Sequence, residues 1–212
     1  MTTDFCLLGG IEAWIDGRAV DLGHARQRLV LAVLLVEVNR AVPIDRLEER
    51  VWGVGLAQRG RGTLYSYLSR LRQALGAVGG GVDLVRGTEG YVLSADADAV
   101  DVHRFRRLVA EARGAQRDEV AGRLFGEALG LWRGEPFGEV DVPWVNGVRE
   151  GLRQERLAAE LDRNGVGLRL GQHRELLAGL GVRARECPLD ERLSGQLMLA
   201  LYRCGRASEA LA

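Results

Sequence analysis

The sequence predicts a mainly α chain with a small β component, organised as an N-terminal winged helix-turn-helix followed by an all-α, tetratricopeptide-like helical domain. Three observations carry that expectation. Two short β-patterned hairpins bracket a run of three helices. The third of those helices sets a leucine stripe against a polar face with no acid. Beyond residue 95 the periodicity is almost wholly helical, and the shift falls at Ala95-Asp96-Ala97-Asp98-Ala99, so the expected domains are 1–95 and 96–212.

Taken in order, Phe5 to Leu8 and Ile11 to Ile15 read as strands around Gly9-Gly10, with Arg18 to Leu22 returning after the hairpin signal Asp16-Gly17. Ala25 to Val38 reads as a largely buried helix through Leu29, Ala32, Val33, Leu35 and Val36, and Asn39 suits its left-handed end. His24, Arg26 and Arg28 cluster at its start. Cations are unfavourable beside outward N–H groups unless an anion sits there. A bound phosphate and three solvated side chains both satisfy the pattern. Pro43-Ile44-Asp45 opens a second helix through Leu47 and Val51 to Trp52, and Gly53 to Gly62 reads as a loop.

Gly62 to Gly76 is the third helix. Leu64, Leu68, Leu71 and Leu75 are spaced 4, 3 and 4, one stripe at 3.6 residues per turn. Thr63, Ser66, Ser69, Arg70 and Gln73 face away, with Tyr67 at the edge. From Leu56 to Gly76 there are four arginines (59, 61, 70 and 72) and no Asp or Glu. Such a face suits phosphates and base edges in a DNA major groove; it also describes an ordinary amphipathic surface helix. Ala77 to Gly81 is a connector. Val82 to Arg86 and Tyr91 to Ser94 then form a hairpin, or wing, around Gly87-Thr88-Glu89-Gly90.

In the second half, helices are expected from Asp101 to near Gly114, through Val120 to Trp132, and from Val148 through Leu161. Arg133 to Trp144 reads as a connection, and Leu168-Arg169-Leu170-Gly171 as the start of the next segment. Gly171 and Gly205 are 34 residues apart, with Glu175 matching Glu209, Leu177 matching Leu211 and Ala178 matching Ala212. That offset is the tetratricopeptide period. On this reading the sequence stops inside a repeat, as a fragment of a longer chain would. Trp52, Trp132, Trp144 and Tyr202 are expected in the core.

Composition narrows the function. All 29 basic residues are arginine and are balanced by 29 acids, which excludes a P-loop lysine or a Schiff base. Residues 1–95 hold 11 arginines against 10 acids, so a nucleic-acid footprint must be a local patch. No window is long and apolar enough for a membrane span. The N-terminus lacks a basic leader region, and a cytoplasmic, nucleoid-associated protein is expected. Cys6, Cys187 and Cys204 show no metal-ligand spacing and read as reduced core thiols. His24, His103 and His173 are scattered, no Ser or Cys lies in a nucleophile motif, and Glu119, Asp162 and Glu186 read as solvated charges. No enzyme activity, cofactor or metal is therefore expected.

The chain resembles the Streptomyces antibiotic regulatory protein family. The resemblance rests on the order of Phe5-x-x-Leu8-Gly9, Arg28 with Leu31-Ala32-x-Leu34-Leu35, Leu47-x-x-x-Val51-Trp52-Gly53, Thr63-Leu64-x-x-Tyr67-x-Ser69-Arg70-Leu71-Arg72 and Gly90-Tyr91-x-Leu93. It continues in Ala128-Leu129-x-Leu131-Trp132-Arg133-Gly134, Pro143-Trp144, Pro188-Leu189-x-Glu191-Arg192-Leu193 and Leu197-Met198-x-Ala200-Leu201-Tyr202-Arg203. It implies an OmpR-type winged helix joined to a bacterial transcriptional activation domain. It also implies an activator that binds promoter direct repeats as a head-to-tail homodimer and contacts RNA polymerase and its σ factor, in control of antibiotic or other secondary-metabolite genes. The polymerase-facing loop would be Gly53, Val54, Gly55, Leu56, Ala57 and Gln58.

The residues expected at base edges are Thr63, Ser66, Tyr67 and Arg70. The phosphate clamps would be Arg26, Arg28, Arg59, Arg61, Arg72, Arg86 and Thr88. About five neutralised phosphates imply a log K against log salt slope near −4.5. The competing expectation is a helical protein- or ligand-binding scaffold in which the first half serves only for docking.

Overall fold

The computed structural model describes residues 2–53, 60–76 and 81–210. It is mainly helical with two small antiparallel sheets, in the order β1 (Thr3–Cys6), β2 (Glu12–Ile15), β3 (Arg18–Ala19), α1 (Ala25–Val36), α2 (Ile44–Trp52), α3 (Arg61–Gly76), β4 (Asp83–Arg86), β5 (Tyr91–Ser94), α4 (Asp101–Gly114), α5 (Asp118–Gly130), α6 (Pro143–Arg169), α7 (His173–Glu186), α8 (Glu191–Arg203) and α9 (Ala207–Ala210). Two compact units result: Met1–Arg106 with Leu131–Arg153, and Arg107–Gly130 with Gln154–Ala212.

In the first unit, β2 pairs with both β1 and β3, and Ile15 faces Arg18 across the Asp16-Gly17 turn. Both turn residues have positive φ, 47° and 75°, the requirement of a tight primed hairpin turn. β1 ends at Cys6, earlier than its apolar run suggests, because the next two N–H groups leave the ladder. Leu7 N–H donates to both carboxylate oxygens of Asp101 at 2.9 Å, and Leu8 N–H donates to Oδ2 at 3.0 Å. Arg133 donates to the same oxygen at 2.9 Å. Burial pushes the Asp101 carboxyl up from its ordinary range, and the N–H bonds and Arg133 offset this only in part. Leu8 and Leu7 return the link through their carbonyls, which accept from Arg133 N–H and Phe137 N–H. These bonds, with Phe105 set edge-on to Trp132 at 5.5 Å, bring residues 131–153 into the first unit. Compactness thus interleaves along the chain instead of following the composition shift near 95.

α1 is buried on every side from Leu29 to Leu35 and packs on α2, α3 and β5. α1 ends at Val36 with Glu37 as its C-cap, and Asn39, at φ 62°, turns the chain just beyond; its side chain grips Ala95, accepting from the N–H and donating to the carbonyl. The β4–β5 hairpin is fixed beside it by reciprocal bonds between Val42 and Tyr91. At Gly90 a Cβ would lie 2.2 Å from the Val42 carbonyl oxygen, so only glycine allows this approach.

Several boundaries differ from the sequence reading. α5 ends at Gly130, which leaves Trp132 half-buried outside a helix. α6 begins at Pro143, a residue favoured in a first turn, and runs 27 residues to Arg169. In the second unit, Gly171 and Gly205 have φ 80° and 79°. The next N–H groups, Gln172 and Arg206, bond back to the Gly167 and Leu201 carbonyls. Both glycines therefore close Schellman motifs, the physical content of their 34-residue offset. The matched Leu211 and Ala212 lie outside the described residues. Leu161, Leu168, Leu180, Leu193 and Ala200 form this unit's core. Asp162 is not a solvated charge: it receives Arg113 and Arg192 at once. Tyr202 is 68% exposed and is not core.

Candidate nucleic-acid interface

The leucine stripe decides how α3 is held. Leu64, Leu68, Leu71 and Leu75 are each at most 1% exposed, and burying a leucine contributes about 1.5–3 kcal/mol. The opposite side of α3 is consequently in solvent. Thr63, Ser66, Ser69, Arg70 and Gln73 are all exposed. Arg70 has no carboxylate partner among the described residues. Ser66 directs its hydroxyl back to the Gly62 carbonyl at 3.1 Å, the usual alternative for a helical serine.

Tyr67 departs from its expected role at a base edge. Its ring is half-buried, stacked on Trp52 of α2 at 6.3 Å and 11°, and it meets His24 edge-on at 4.8 Å. His24 is the N-cap position of α1. The three aromatic rings thus tie α1, α2 and α3 together, and Trp52 serves as a half-buried buttress. Gly60 lies against the same indole, 3.1 Å from an added Cβ.

The expected phosphate clamps separate into committed and uncommitted groups. Arg61 is committed: it pairs with Glu48 at 3.1 Å and also with Asp45, across the α2–α3 junction. Glu48 is 1% exposed, and Arg61 supplies the counter-charge that makes its burial tolerable. Arg72 donates from Nε to the Leu84 carbonyl of β4 at 2.7 Å. Arg61 is thus held by carboxylates, whereas Arg72, bonded to an uncharged carbonyl, keeps its charge and its terminal N–H donors. Arg26, Arg28 and Arg86 are exposed and have no carboxylate partner among the described residues. Arg26 and Arg28 lie in the first turns of α1, which holds no acid at its start. Arg28 also borders a cleft lined by Gly10, Ile11, Ala25, Phe137 and Glu139. Thr88 is exposed in the hairpin loop. Arg59 and the polymerase-loop residues Val54, Gly55, Leu56, Ala57 and Gln58 lie outside the described residues. Gly53 has φ 87° and ends α2.

The sequence reading passed over one residue. Tyr65 is 37% exposed beside the free face of α3, and the Arg86 guanidinium lies over its ring at 5.7 Å. The available signal was its position off the leucine stripe: an aromatic there has no core to enter. Among the described residues no cluster of acidic, His or Cys side chains could hold a metal, and no helix is long and apolar enough to cross a membrane.

The chain is similar to several bacterial regulatory proteins. The bacterial transcriptional activator domain family matches residues 100–212. Regulatory protein AfsR of Streptomyces griseus is 34% identical over 211 residues, which cover 98% of this chain and 21% of AfsR. Regulatory protein DnrI of Streptomyces peucetius is 33% identical over 216 residues, covering 97% of this chain and 79% of DnrI. The solved structure of Mycobacterium tuberculosis EmbR, in complex with a low affinity phosphopeptide, superposes with a TM-score of 0.91 at 32% identity, over 99% of this chain and 57% of that one. The chain thus spans about a fifth of AfsR and about four fifths of DnrI. With a family match over its second half and an alignment to DnrI that covers 97% of this chain, the chain belongs to the Streptomyces antibiotic regulatory protein family, whose hallmark here is the bacterial transcriptional activator domain.

Proposed function

We propose that this chain acts as a sequence-specific DNA-binding transcriptional activator. In this reading residues 1–95 are an OmpR-type winged helix-turn-helix, with α3 in the major groove and the β4–β5 hairpin as wing. Residues 96–212 are a tetratricopeptide-like activation domain. Two copies bind promoter direct repeats head to tail and contact RNA polymerase and its σ factor through the loop that begins at Gly53. The regulated genes form a secondary-metabolite cluster, and the protein works in the cytoplasm at the nucleoid. The observation that carries the reading is α3 itself: four buried leucines fix it, while Arg70 on its acid-free face has no carboxylate partner among the described residues. A cation left without a counter-ion at the surface is available to a phosphate or a guanine edge.

A chromosomal footprint tests the proposal. Protection of two same-orientation sites spaced by whole helical turns is the expected result. Uniform coverage with no repeat, or none at all, overturns it. A second reading, a protein-binding scaffold, draws on α8, where Met198, Leu199 and Tyr202 stand exposed on one face. That reading predicts that Arg70→Ala leaves the protein's binding partners unchanged.

A further inference from the structure

Resting on the DNA-binding reading above, we propose that Tyr65 is a positioning residue for the wing. Its ring holds the Arg86 guanidinium beside α3, where it clamps a backbone phosphate of the same duplex that α3 reads.

The backbone beneath Arg86 is fixed. Arg86 is the last residue of β4, paired with Tyr91 across the hairpin. β4 is tied to α3 by the Arg72 bond to the Leu84 carbonyl at 2.7 Å. β5 is tied to the α1–α2 connection by the reciprocal Val42–Tyr91 bonds and by the close approach at Gly90. What remains variable is the Arg86 side chain, and an unrestrained arginine loses much rotamer freedom when it grips a phosphate. Tyr65 removes part of that cost in advance. The Cζ–ring distance of 5.7 Å lies within cation–π range.

The kind of contact matters as much as the distance. A carboxylate partner would neutralise Arg86 and occupy its N–H edge. A ring face takes the flat side of the guanidinium and leaves the charge and the in-plane donors free for an anion. Arg61, one turn before Tyr65, shows the contrast, since Glu48 and Asp45 hold its donors. Tyr65 is 37% exposed, so its ring is placed to serve the surface and not the core.

The test is fluorescence anisotropy of the full chain on a short labelled duplex of random sequence, read across a salt series. Tyr65→Ala should weaken binding about two- to fivefold, the range of an exposed cation–π contact. Tyr65→Phe, which keeps the ring, should bind as wild type. Arg86→Ala should flatten the log K against log salt slope by about 0.9. The double variant Y65A/R86A should be no weaker than R86A alone, because the ring has nothing left to position. Should Y65A fail to fold by circular dichroism, Tyr65→Leu supplies a similar volume without a π face and should behave as Y65A is expected to. Additive losses in the double variant, or a Phe variant as weak as Ala, overturn the positioning role while the DNA-binding reading stands. If wild type binds no duplex, both fall together.

Discussion

The two units differ in how far carboxylates hold their arginines. In the second, arginines join helices: Arg113 and Arg192 meet at Asp162, Arg169 grips Asp118, and Arg183 reaches Glu160. In the first, Arg61 and Arg133 are likewise held by carboxylates, yet Arg26, Arg28, Arg70 and Arg86 have no such partner among the described residues. A chain with 29 arginines and 29 acids could pair nearly all of them. Among the described residues these four, exposed and without a carboxylate partner, give a neutral protein local positive charge at the start of α1, on α3 and on the β4–β5 hairpin. Arginine count and net charge therefore say little about partners; the distribution of carboxylates around each guanidinium says more.

The contrast is sharpest where the carboxylate is buried, and the largest expected effect lies there. Asp101→Ala removes the acceptor for the Leu7 and Leu8 N–H groups and the counter-charge of Arg133. The Arg133 side chain is 45% exposed, so the main cost is the two buried N–H groups left without an acceptor, about 1–3 kcal/mol each, and urea unfolding should show a marked loss of stability. A change below about 1 kcal/mol would mean that the seam to residues 131–138 is not a structural anchor.

Next in size is Arg70→Ala. On a duplex selected by the protein from a random pool, it should cost about 1–3 kcal/mol of affinity and relax preference at one base pair. Its unfolding midpoint should barely move, since a solvated arginine contributes within about 0.5 kcal/mol. Equal loss on every sequence would demote Arg70 from base reader to phosphate contact.

How much of this was legible in the sequence depends on the range of the interaction. The leucine stripe of α3, the Asp16-Gly17 turn, the left-handed conformation of Asn39 and the paired turns at Gly171 and Gly205 all follow from local periodicity or backbone sterics, and the structure has each of them. The bonds of Arg61 and Arg72 did not show, because their partners Glu48 and Leu84 lie on other elements 13 and 12 residues away. Asp101 read as an ordinary helix start; nothing local marks a bond spanning 94 residues to Leu7. Tyr67 had the right address for a base contact, and only the fold puts Trp52 and His24 against its ring. Tyr202 looked like core because α8 is apolar on both faces, and helical periodicity alone cannot say which face is covered.

Smaller effects separate the two sets of arginines directly. With Arg61 held by carboxylates, Arg26, Arg28, Arg72 and Arg86 remain as described clamps, so the salt slope should lie at about −3.6 and not −4.5 if each neutralises one phosphate. Arg26→Ala should flatten it by about 0.9. Arg169→Ala, in the second unit, should leave it unaltered, because that guanidinium is tied to Asp118 by three hydrogen bonds. If Arg169→Ala flattened the slope as much as Arg26→Ala, the cationic surface could not be assigned to the first unit.

The smallest expected effect is on acid stability, and it has opposite signs in the two units. Arg169 hydrogen bonds hold Asp118 below its ordinary range, as those of Arg206 do for Glu209. Burial pushes Asp162 up, but the bonds from Arg192 and Arg113 outweigh it and hold it low. Groups lowered on folding stabilise above their unfolded values, about 3.9 for Asp and 4.3 for Glu, and that contribution is lost as pH falls through the folded values. Asp101 is raised by burial, so its contribution is fully present below about 3.9 and is lost as pH rises through the folded value. Acidification below about pH 4 should therefore weaken the second unit first. All four tryptophans (Trp14, Trp52, Trp132 and Trp144) belong to the first unit, whereas helical circular dichroism reports on both. On an acid titration the helical signal should begin to fall at a higher pH than the one at which tryptophan emission changes. Coincident transitions, or emission changing first, would show that the ion pairs of α5 to α9 do not set the acid response.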